Sequence, residues 1–320
     1  MTRKIETIWI LTNGNRGNEV ICEGVAAHLG GAVQSFTIER NLWTNFTAPY
    51  WPARLTARWD ARWQPPWPDL VLASSRLAYA PACHIRAASG GFSFCVALQD
   101  PVMSPDRFDL VWAPFHDGLS GPNVISTLLS PHGITPERIR AEADKWRHLR
   151  PKNLPCIGVL IGGPNPVYGY GSAECDALIS QMRSLCDQGY HLIISTSRRT
   201  PARLAQALID QLTQATHIAP AQDNPYPGLL GLVDAIIVTP DSVNMTGEAC
   251  AAGRPVYRVN FTPKRASKFD RFHSQITAEG LVLPLTDTID TNPRPPRDDT
   301  AEIARAIETA FCAKTASTHP

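Results

Sequence analysis

The residues best suited to chemistry in this sequence lie in the segment 241–256, DSVNMTGEACAAGRPV. Asp241 and Ser242 are residue types that cap helices, and they follow the apolar run 235–239, which predicts a strand. A helix that begins after a strand presents unpaired backbone N–H groups to an anion. Glu248 lies further into that helix, where its carboxylate can accept hydrogen bonds from sugar hydroxyls. The pattern therefore predicts a nucleotide site and suits a nucleotide-sugar especially well.

Two further loops of the second half follow predicted strands and carry groups suited to phosphate binding. Gly162 and Gly163 come after the strand 156–161, and adjacent glycines let a ligand approach the backbone closely. An ordinary tight turn has the same composition, so this loop alone leaves both interpretations open. The segment 197–201, SRRTP, places hydroxyls and two arginines before a helix that starts with proline. We predict an anion site there, with a solvated helix start as the alternative.

A fourth loop, DNPY at 223–226, precedes a short apolar helix. It either places an amide and an aromatic ring beside a nucleobase or forms a generic turn. Parallel strands bring their carboxyl ends to one edge of a sheet, and such sheets bind ligands at that edge. We therefore expect the four loops to meet there and to form one nucleotide site.

The loop NGNRGNE at 13–19 follows the first predicted strand of the chain and opens a helix. Together with Glu39, about twenty residues further on, it is similar to a dinucleotide-binding fingerprint. Its glycines, however, are spaced Gly-x-x-Gly and do not form the Gly-x-Gly-x-x-Gly pattern. A nicotinamide cofactor is therefore an alternative that the spacing disfavours.

Acceptor activation in a transferase requires a base that takes a proton from the attacking hydroxyl. Asp100, His116 and Asp117 lie in loops after predicted strands of the first half, and we predict the catalytic residue among them. Each is also compatible with a structural or solvated role. The sequence has no metal-ligand spacing, no Gly-x-Ser-x-Gly elbow and no Walker loop. We therefore expect neither a bound metal nor a resident cofactor, and the nucleotide-sugar would act as a co-substrate.

Short apolar strands alternate with amphipathic helices along most of the chain. This alternation indicates an α/β fold with parallel sheets that are covered on both faces. The predicted strands span 7–12, 32–38, 69–75, 94–100, 110–113, 156–161, 191–195, 235–239 and 255–259, and the predicted helices span 18–29, 173–188, 201–213, 243–252, 268–278 and 299–313, with one more beginning at 136.

The 320 residues exceed the usual size of a single core, so the chain should form two domains. The segment 149–155, LRPKNLP, is the best linker candidate. We predict two Rossmann-like, doubly wound domains that face a cleft, an acceptor-side domain over 1–150 and a nucleotide-sugar-binding domain over 151–298. A C-terminal helix and tail over 299–320 would pack back on the first domain.

Composition limits the classes of function. The chain carries 30 basic and 29 acidic residues, which argues against a nucleic-acid protein that relies on a phosphate-neutralising surface. No apolar run is long enough to span a bilayer, and the N-terminus lacks the apolar region of a secretory signal. The 8 cysteines form no Cys-x-x-Cys pair, so we expect reduced thiols in a cytoplasmic protein.

These loops resemble those of one known family, the bacterial members of the mitochondrial fission Elm family. The matching segments are WILTNGNRGNE (9–19), RFDLV (107–111), HDGLSGPNV (116–124), GGP (162–164), SRRTP (197–201), DNPY (223–226) and 241–256. The family is grouped by fold with the two-domain GT-B glycosyltransferases. The resemblance therefore implies a GT-B architecture whose C-terminal domain holds a nucleotide-sugar donor and whose N-terminal domain holds the acceptor.

The segment 241–256 is similar to the donor loop of lipid-linked sugar transferases of that fold. By this likeness Glu248 would bind ribose or sugar hydroxyls, and Ser242 would lie near the phosphates. Asn13 stands where relatives commonly carry an acidic residue, so no catalytic role is carried over to it. The predicted donor-binding residues are Gly162, Gly163, Ser197, Arg198, Arg199, Asn224, Tyr226, Asp241, Ser242, Met245 and Glu248, and the predicted acceptor-side residues are Asn13, Gly14, Arg16, Gly17, Asn18 and Asn123.

We therefore expect a metal-independent GT-B glycosyltransferase that moves a sugar from a nucleotide-sugar to an acceptor hydroxyl of a lipid-linked or envelope glycan. Its partners would be this donor and this acceptor, without nucleic acid. The segment 41–67, rich in Trp, Arg and Pro, either contacts the inner face of the cytoplasmic membrane or packs as an irregular loop. Two alternatives remain open: a non-catalytic GT-B-like scaffold at a membrane, and a nucleotide-sugar epimerase or hydrolase.

Overall fold

The structure, a computed structural model, describes residues 3–39, 63–218 and 225–317. The chain forms two compact units, of which the first comprises 1–133 with 299–320 and the second comprises 134–298. Among the described residues, each unit is built on a parallel sheet of six strands connected largely by helices. The α/β class predicted from the alternation of strands and helices is therefore confirmed.

The first unit consists of the strands β1 (Thr7–Thr12), β2 (Ala32–Thr37), β3 (Leu70–Ser74), β4 (Phe94–Leu98), β5 (Leu110–Pro114) and β6 (Val124–Thr127) and the helices α1 (Arg16–Leu29), α2 (Arg76–Ala88) and α9 (Thr300–Ser317). The strands lie in the order β2-β1-β3-β4-β5-β6. The strands β3, β4 and β5 are buried at every residue, since helices cover the central sheet on both faces.

The second unit consists of the strands β7 (Cys156–Ile161), β8 (His191–Thr196), β9 (Thr216–Ile218), β10 (Ala235–Val238), β11 (Val256–Arg258) and β12 (Leu283–Pro284) and the helices α3 (Pro136–Lys145), α4 (Ser172–Asp187), α5 (Ala202–Gln211), α6 (Tyr226–Leu232), α7 (Val243–Cys250) and α8 (Lys268–Ala278). The strands lie in the order β12-β11-β10-β7-β8-β9. Read from β9, this is the 3-2-1-4-5-6 order of the Rossmann fold.

The C-terminal helix α9 is part of the core of the first unit. Ile303, Ile307 and Phe311 are fully buried in the apolar cluster that also contains residues of β1, β3 and β4. The start of the helix is anchored by Asp299, whose carboxylate accepts a hydrogen bond from the Leu129 amide at 2.9 Å. Burial of this apolar stripe explains why the last segment of the chain joins the first unit rather than the preceding one.

The division predicted at residue 150 and the structural division differ over 134–150. This stretch contains α3, which packs against α6 of the second unit. The two helices can approach because α6 carries glycine at the contact: a Cβ at Gly228 would lie 2.7 Å from the Glu142 carbonyl oxygen. Helix packing thus assigns 134–150 to the second unit, whereas the proline-rich composition of 149–155 reports only a local break.

The predicted irregular excursion and membrane contact of 41–67 concern a segment that lies, up to residue 62, outside the described residues. In the part of the chain that the structure describes, no helix has the length and apolarity needed to cross a membrane.

Candidate functional site

Three of the predicted loops of the second unit meet at one edge of its sheet. β7 and β10 are neighbours in the middle of the sheet, and the strand order reverses between them, which makes this the topological switch point. The loops 162–165, 197–201 and 239–242 follow the carboxyl ends of β7, β8 and β10. Open α/β sheets bind their ligands at this position.

A buried carboxylate, that of Asp241, ties these loops together. Its Oδ1 accepts hydrogen bonds from the Tyr170 hydroxyl at 2.6 Å and the Thr239 hydroxyl at 2.7 Å. Its Oδ2 accepts from the Gly163 amide and from Arg199 Nη2, both at 2.9 Å. Burial and the neighbouring carboxylate raise the pKa of the Tyr170 phenol, so this hydroxyl remains a donor.

This geometry corrects the sequence-based assignment of Asp241 as a direct ligand of the donor. The Asp241 side chain is 0% exposed, and all four of these hydrogen bonds come from protein groups. A buried carboxylate is stable only when such partners surround it. Asp241 therefore positions the loops around it and does not face the solvent.

The structure shows that glycine is required at positions 162 and 163 for a reason other than the predicted close approach of a ligand. A Cβ at Gly162 would overlap the Asp241 carboxylate, and a Cβ at Gly163 would overlap the Arg199 carbonyl group. The Gly162 amide donates to the Thr239 hydroxyl at 2.9 Å. Both glycines are thus required because loops of the protein approach one another there, and the space beside them is filled by the protein itself.

The loop after β8 gives its two arginines different partners. The Thr200 hydroxyl lies 2.6 Å from the Gly162 carbonyl oxygen and also accepts a hydrogen bond from the Ser197 amide, which fastens the loop to the end of β7. Arg199 turns inward to Asp241. Arg198 is exposed and makes no hydrogen bond or ion pair with any described residue. Unlike Arg199, which is paired with Asp241, Arg198 can therefore offer its whole guanidinium to an external anion.

The helix α7 begins at the same edge. Ser242 is its N-cap, and the Ser242 Oγ accepts a hydrogen bond from the Met245 amide at 3.3 Å. In the second turn, Glu248 Oε2 accepts a hydrogen bond from the Tyr226 hydroxyl at 2.6 Å. Desolvation and the Glu248 charge raise the pKa of Tyr226 well above its usual value, which keeps the phenol protonated. The sequence predicted both residues as ligands of the donor, but not that they pair with each other.

Asn224, the amide predicted to lie beside a nucleobase, belongs to the segment 219–224, which is outside the described residues.

The candidate bases of the first unit lie at the carboxyl edge of its sheet. Asp100 follows β4, and its Oδ1 accepts a hydrogen bond from the Val102 amide at 2.8 Å. After β5, the His116 Nε2 lies 3.7 Å from Asp117 Oδ1. Burial raises the pKa of the Tyr79 phenol in α2, and the Asp100 and Asp117 carboxylates raise it further. The Asp100 and Asp117 carboxylates therefore act on the same buried tyrosine.

Strained backbone marks the same edge, and sequence reasoning missed it. Ser75 follows β3 with φ 130° and ψ 152°, and Gln99 follows β4 with φ 110°. Non-glycine residues rarely adopt such angles, and those that do are concentrated at functional sites. The hydroxyls of Ser74 and Ser75 are buried without a hydrogen-bond partner in the described structure. The available signal was the SSR sequence at a strand end, which composition alone does not distinguish from a turn.

The predicted acceptor-side loop after β1 is organised mainly by its own side chains. Asn13 Oδ1 accepts a hydrogen bond from Asn18 Nδ2 at 2.9 Å, and Gly14 adopts φ 73°. Arg16 pairs with Glu23 of its own helix at 2.9 Å. These residues lie together at the carboxyl edge of the first sheet, and their hydrogen bonds and ion pairs mainly stabilise the loop and the start of α1.

Asn123 does not belong with this group, and the structure corrects its placement. It precedes β6, and a parallel strand begins at the amino edge of its sheet. Its Nδ2 donates to the carbonyl oxygens of Pro105 at 2.8 Å and Phe108 at 3.0 Å. Asn123 therefore holds the segment that leads into β5, at the edge opposite to Asp100.

Comparison with protein families connects this arrangement to known relatives. Residues 16–311 match the family described as mitochondrial fission ELM1. The chain belongs to the mitochondrial fission ELM1 family. The resemblance inferred from the loops is therefore confirmed.

Two members of the ELM1 family illustrate how far the likeness extends. The mitochondrial fission protein ELM1 of Arabidopsis thaliana is 28% identical over 279 residues, which cover 77% of this chain and 65% of that protein. The chain thus spans less than two thirds of the plant protein. The uncharacterized protein RP120 of Rickettsia prowazekii is 24% identical over 319 residues, which cover 86% of this chain and 88% of that protein.

Solved structures share the fold of this ELM1-family chain at low identity. A UDP-GlcNAc 2-epimerase from Methanocaldococcus jannaschii aligns with a TM-score of 0.57 and 12% identity over 95% of this chain and 99% of its own. A UDP-GlcNAc 2-epimerase from Neisseria meningitidis aligns with a TM-score of 0.52 and 12% identity, over 96% of this chain and 90% of its own. MurG from Acinetobacter baumannii aligns with a TM-score of 0.50 and 13% identity, over 98% of this chain and 95% of its own. The GT-B-like fold implied by the resemblance is confirmed.

Replacing Asp241 by asparagine is expected to lower the free energy of unfolding by about 3 kcal/mol, because Arg199 loses its charged partner and an NH₂ group faces other donors. Arg199→Ala should cost less, about 1 kcal/mol, since the Arg199 side chain is 49% exposed. Asp210→Asn on the exposed face of α5 serves as control and should change stability by less than about 0.5 kcal/mol. Urea unfolding measures the stability of all three variants. If Asp241→Asn lost no more unfolding free energy than the control, Asp241 would not hold the loops together.

Replacing Ser75 by glycine is expected to raise the free energy of unfolding relative to Ser75→Ala by about 1 kcal/mol. Release of a strained φ and ψ is worth about 1–3 kcal/mol, whereas the added freedom of glycine in the unfolded chain costs about 0.5–1 kcal/mol. Alanine is the matched control because it also lacks the hydroxyl but keeps the strain. Equal or lower stability of the glycine variant in urea unfolding would show that Ser75 is unstrained.

Proposed function

We propose that this member of the ELM1 family is a glycosyltransferase whose second unit binds a nucleotide-sugar at the switch point of its sheet. The observation that carries the proposal is the convergence of exposed Arg198, the capped start of α7 and the Tyr226–Glu248 pair at that edge. Together they offer donors for a diphosphate and an acceptor for hydroxyls. A Neisseria meningitidis protein of similar fold has been crystallised with UDP-GlcNAc, which agrees with a ligand of this class.

The diphosphate in this proposal lies between Arg198 and the first turn of α7. A guanidinium can pair with a phosphate through two parallel hydrogen bonds, and a helix N-terminus favours an anion by about 0.3–1 kcal/mol. Asp241 contributes indirectly, because it holds Arg199 and the Gly163 amide and so fixes the loops on either side. Its negative charge is compensated inside the protein and does not repel the ligand.

Glu248 is the proposed acceptor for ribose or sugar hydroxyls. It is 9% exposed, and its Oε2 accepts the hydrogen bond from the Tyr226 hydroxyl. This contact fixes the side-chain rotamer, so the carboxylate loses little further freedom when a ligand binds. Tyr226 therefore has a positioning role in this proposal.

In the proposed reaction the acceptor oxygen attacks the anomeric carbon, and the bond from that carbon to the diphosphate oxygen breaks. The acceptor proton passes to a base, and the nucleoside diphosphate leaves with its electron pair. Arg198 and the start of α7 stabilise the charge that develops on the leaving group. Asp100, His116 and Asp117 remain the proposed bases, since they lie at a sheet edge with strained backbone and buried polar groups.

A nucleotide-sugar epimerase is the second candidate, and the names of two proteins of similar fold favour it. The two functions differ in whether the donor alone is consumed. Product analysis by NMR after incubation with a nucleotide-sugar and no acceptor separates them: an epimerase changes the sugar, a hydrolase releases it, and a transferase leaves it intact until an acceptor is added. Donor binding without turnover under any of these conditions would favour a scaffold.

A thermal-shift panel of UDP, GDP, ADP and CDP is expected to show at least one nucleotide that stabilises the protein. Saturation at one hundred times the dissociation constant adds about 2.7 kcal/mol to the free energy of unfolding. Arg198→Ala and Glu248→Ala should each weaken binding about tenfold in calorimetry, because each removes a charged hydrogen-bonding group.

Arg183→Ala is the matched control for this panel, since Arg183 is an exposed arginine of the same unit that bonds only to Gln211 in the described structure. It should leave nucleotide affinity unchanged. The proposal fails if no nucleoside diphosphate stabilises the protein, or if the control weakens binding as much as Arg198→Ala does.

A further inference from the structure

A separate cavity of about 320 Å³ opens in the second unit, beside the end of β11. Its walls include Tyr168, Arg258, Phe261, Asp270 and His273. Its volume is at the lower end of the range of roughly 300–1,000 Å³ that is usual for small-molecule sites. The cavity therefore has room for about one sugar ring, and none of its residues is used by the proposed phosphate site.

Arg258, the last residue of β11, is the unusual group in this cavity. Its Nε atom is buried and has no hydrogen-bond partner, and its guanidinium forms no ion pair with any described residue. Arg150 of the same unit, which is also partly buried, is by contrast paired with Asp234 at 2.8 Å. Burial lowers the pKa of Arg258, because a desolvated cation without a counter-ion is unfavourable. Such a group is normally matched by an anion.

The other walls offer the complementary features of a sugar site. Tyr168 and Phe261 are buried aromatic residues that contribute apolar wall to the cavity. Asp270 is held by the capping box of α8, in which its Oδ2 accepts from the Ser267 amide at 2.8 Å, so an acceptor for hydroxyls is fixed in place. His273 Nε2 lies 3.0 Å from the Pro240 carbonyl oxygen and must donate to it, which fixes the imidazole ring.

The charge around the cavity favours an anionic ligand over a neutral one. Lys264 and Arg265 are exposed in the loop that follows Pro263, which lines the cavity. With Arg258, these cations outnumber the single carboxylate of Asp270 among the groups at or next to the cavity. A carboxylate suits a guanidinium because the two planar groups can form paired hydrogen bonds.

The cavity borders the proposed donor site. Arg258 lies beside Val238 of β10 in the sheet register, and Pro240, which accepts the His273 hydrogen bond, directly precedes Asp241. On the other side, the Tyr168 carbonyl oxygen accepts from the Asn165 amide at 3.1 Å. A group attached to a diphosphate at the switch point is therefore separated from the cavity by one loop only.

We propose that this cavity binds an acidic sugar, whose carboxylate pairs with Arg258 while its hydroxyls reach Asp270 and its ring lies against Tyr168. The inference rests on the proposed function in that the sugar is the one carried by the nucleotide. It adds the substrate class, a nucleotide-linked sugar acid, and assigns Arg258 as the residue that selects it.

The test compares UDP, UDP-glucose and UDP-glucuronate by titration calorimetry with the full chain; the two sugar nucleotides differ in one carboxylate. UDP-glucuronate is expected to bind about tenfold more tightly than UDP-glucose. Arg258→Gln should abolish this preference and leave the affinity for UDP unchanged, Arg258→Lys should retain part of it, and Arg183→Gln should retain all of it. Arg258→Met should raise Tm by about 2 °C while removing the preference, since the unpaired cation destabilises the free protein.

The outcomes separate this inference from the proposed function. If UDP binds and both sugar nucleotides bind equally, the acidic-sugar site is refuted and nucleotide binding stands. If UDP does not bind, free glucuronate and N-acetylneuraminate are titrated against glucose by NMR. Binding of an acid that is lost in Arg258→Gln supports the cavity by itself, and no binding of either acid overturns it. A fall in Tm for Arg258→Met would assign Arg258 a purely structural role.

Discussion

The architecture of the second unit depends on one buried carboxylate. Asp241 gathers four donors, at Gly163, Tyr170, Arg199 and Thr239, from the three loops after β7, β8 and β10, directly at the switch point of the sheet. A charge in this position is tolerable only when every donor is present, so the loops after β7, β8 and β10 must fold together or not at all. The same constraint excludes side chains at the adjoining glycines. The start of α7 and Arg198 are accessible at this edge, whereas the half-exposed guanidinium of Arg199 is already paired with Asp241.

Much of the fold could be predicted because the apolar runs are long and the helix starts carry clear caps. The strand Cys156–Ile161 and the helix Lys268–Ala278 match their predicted bounds. The helix α2 escaped prediction because Pro81 lies inside it, and the short strands β9 and β12 contain too few residues for a period to be recognised. Packing of α3 on α6 likewise depends on glycines whose partner is distant in sequence.

The candidate site was only partly predictable, for a related reason. Residue type and position after a strand located the loops, but they could not tell which polar groups are used up by the protein. Asp241 looked like a ligand and is internal, whereas Arg258 gave no signal because its burial and lack of a partner arise only in three dimensions. Ser75 is hidden in the same way, since a backbone dihedral leaves no trace in composition. Chemistry at strand ends can thus be read from sequence, while the direction of each side chain cannot.

Nucleotide binding at the switch point is tested most directly by an experimental structure with a bound nucleoside diphosphate, chosen as the one that stabilises the protein best. We expect a diphosphate in contact with Arg198 and with the first turn of α7, a hydroxyl of the nucleotide within hydrogen-bond distance of Glu248, and an unchanged network around Asp241. A nucleotide bound elsewhere in the chain, with Arg198 still directed to solvent, would contradict it.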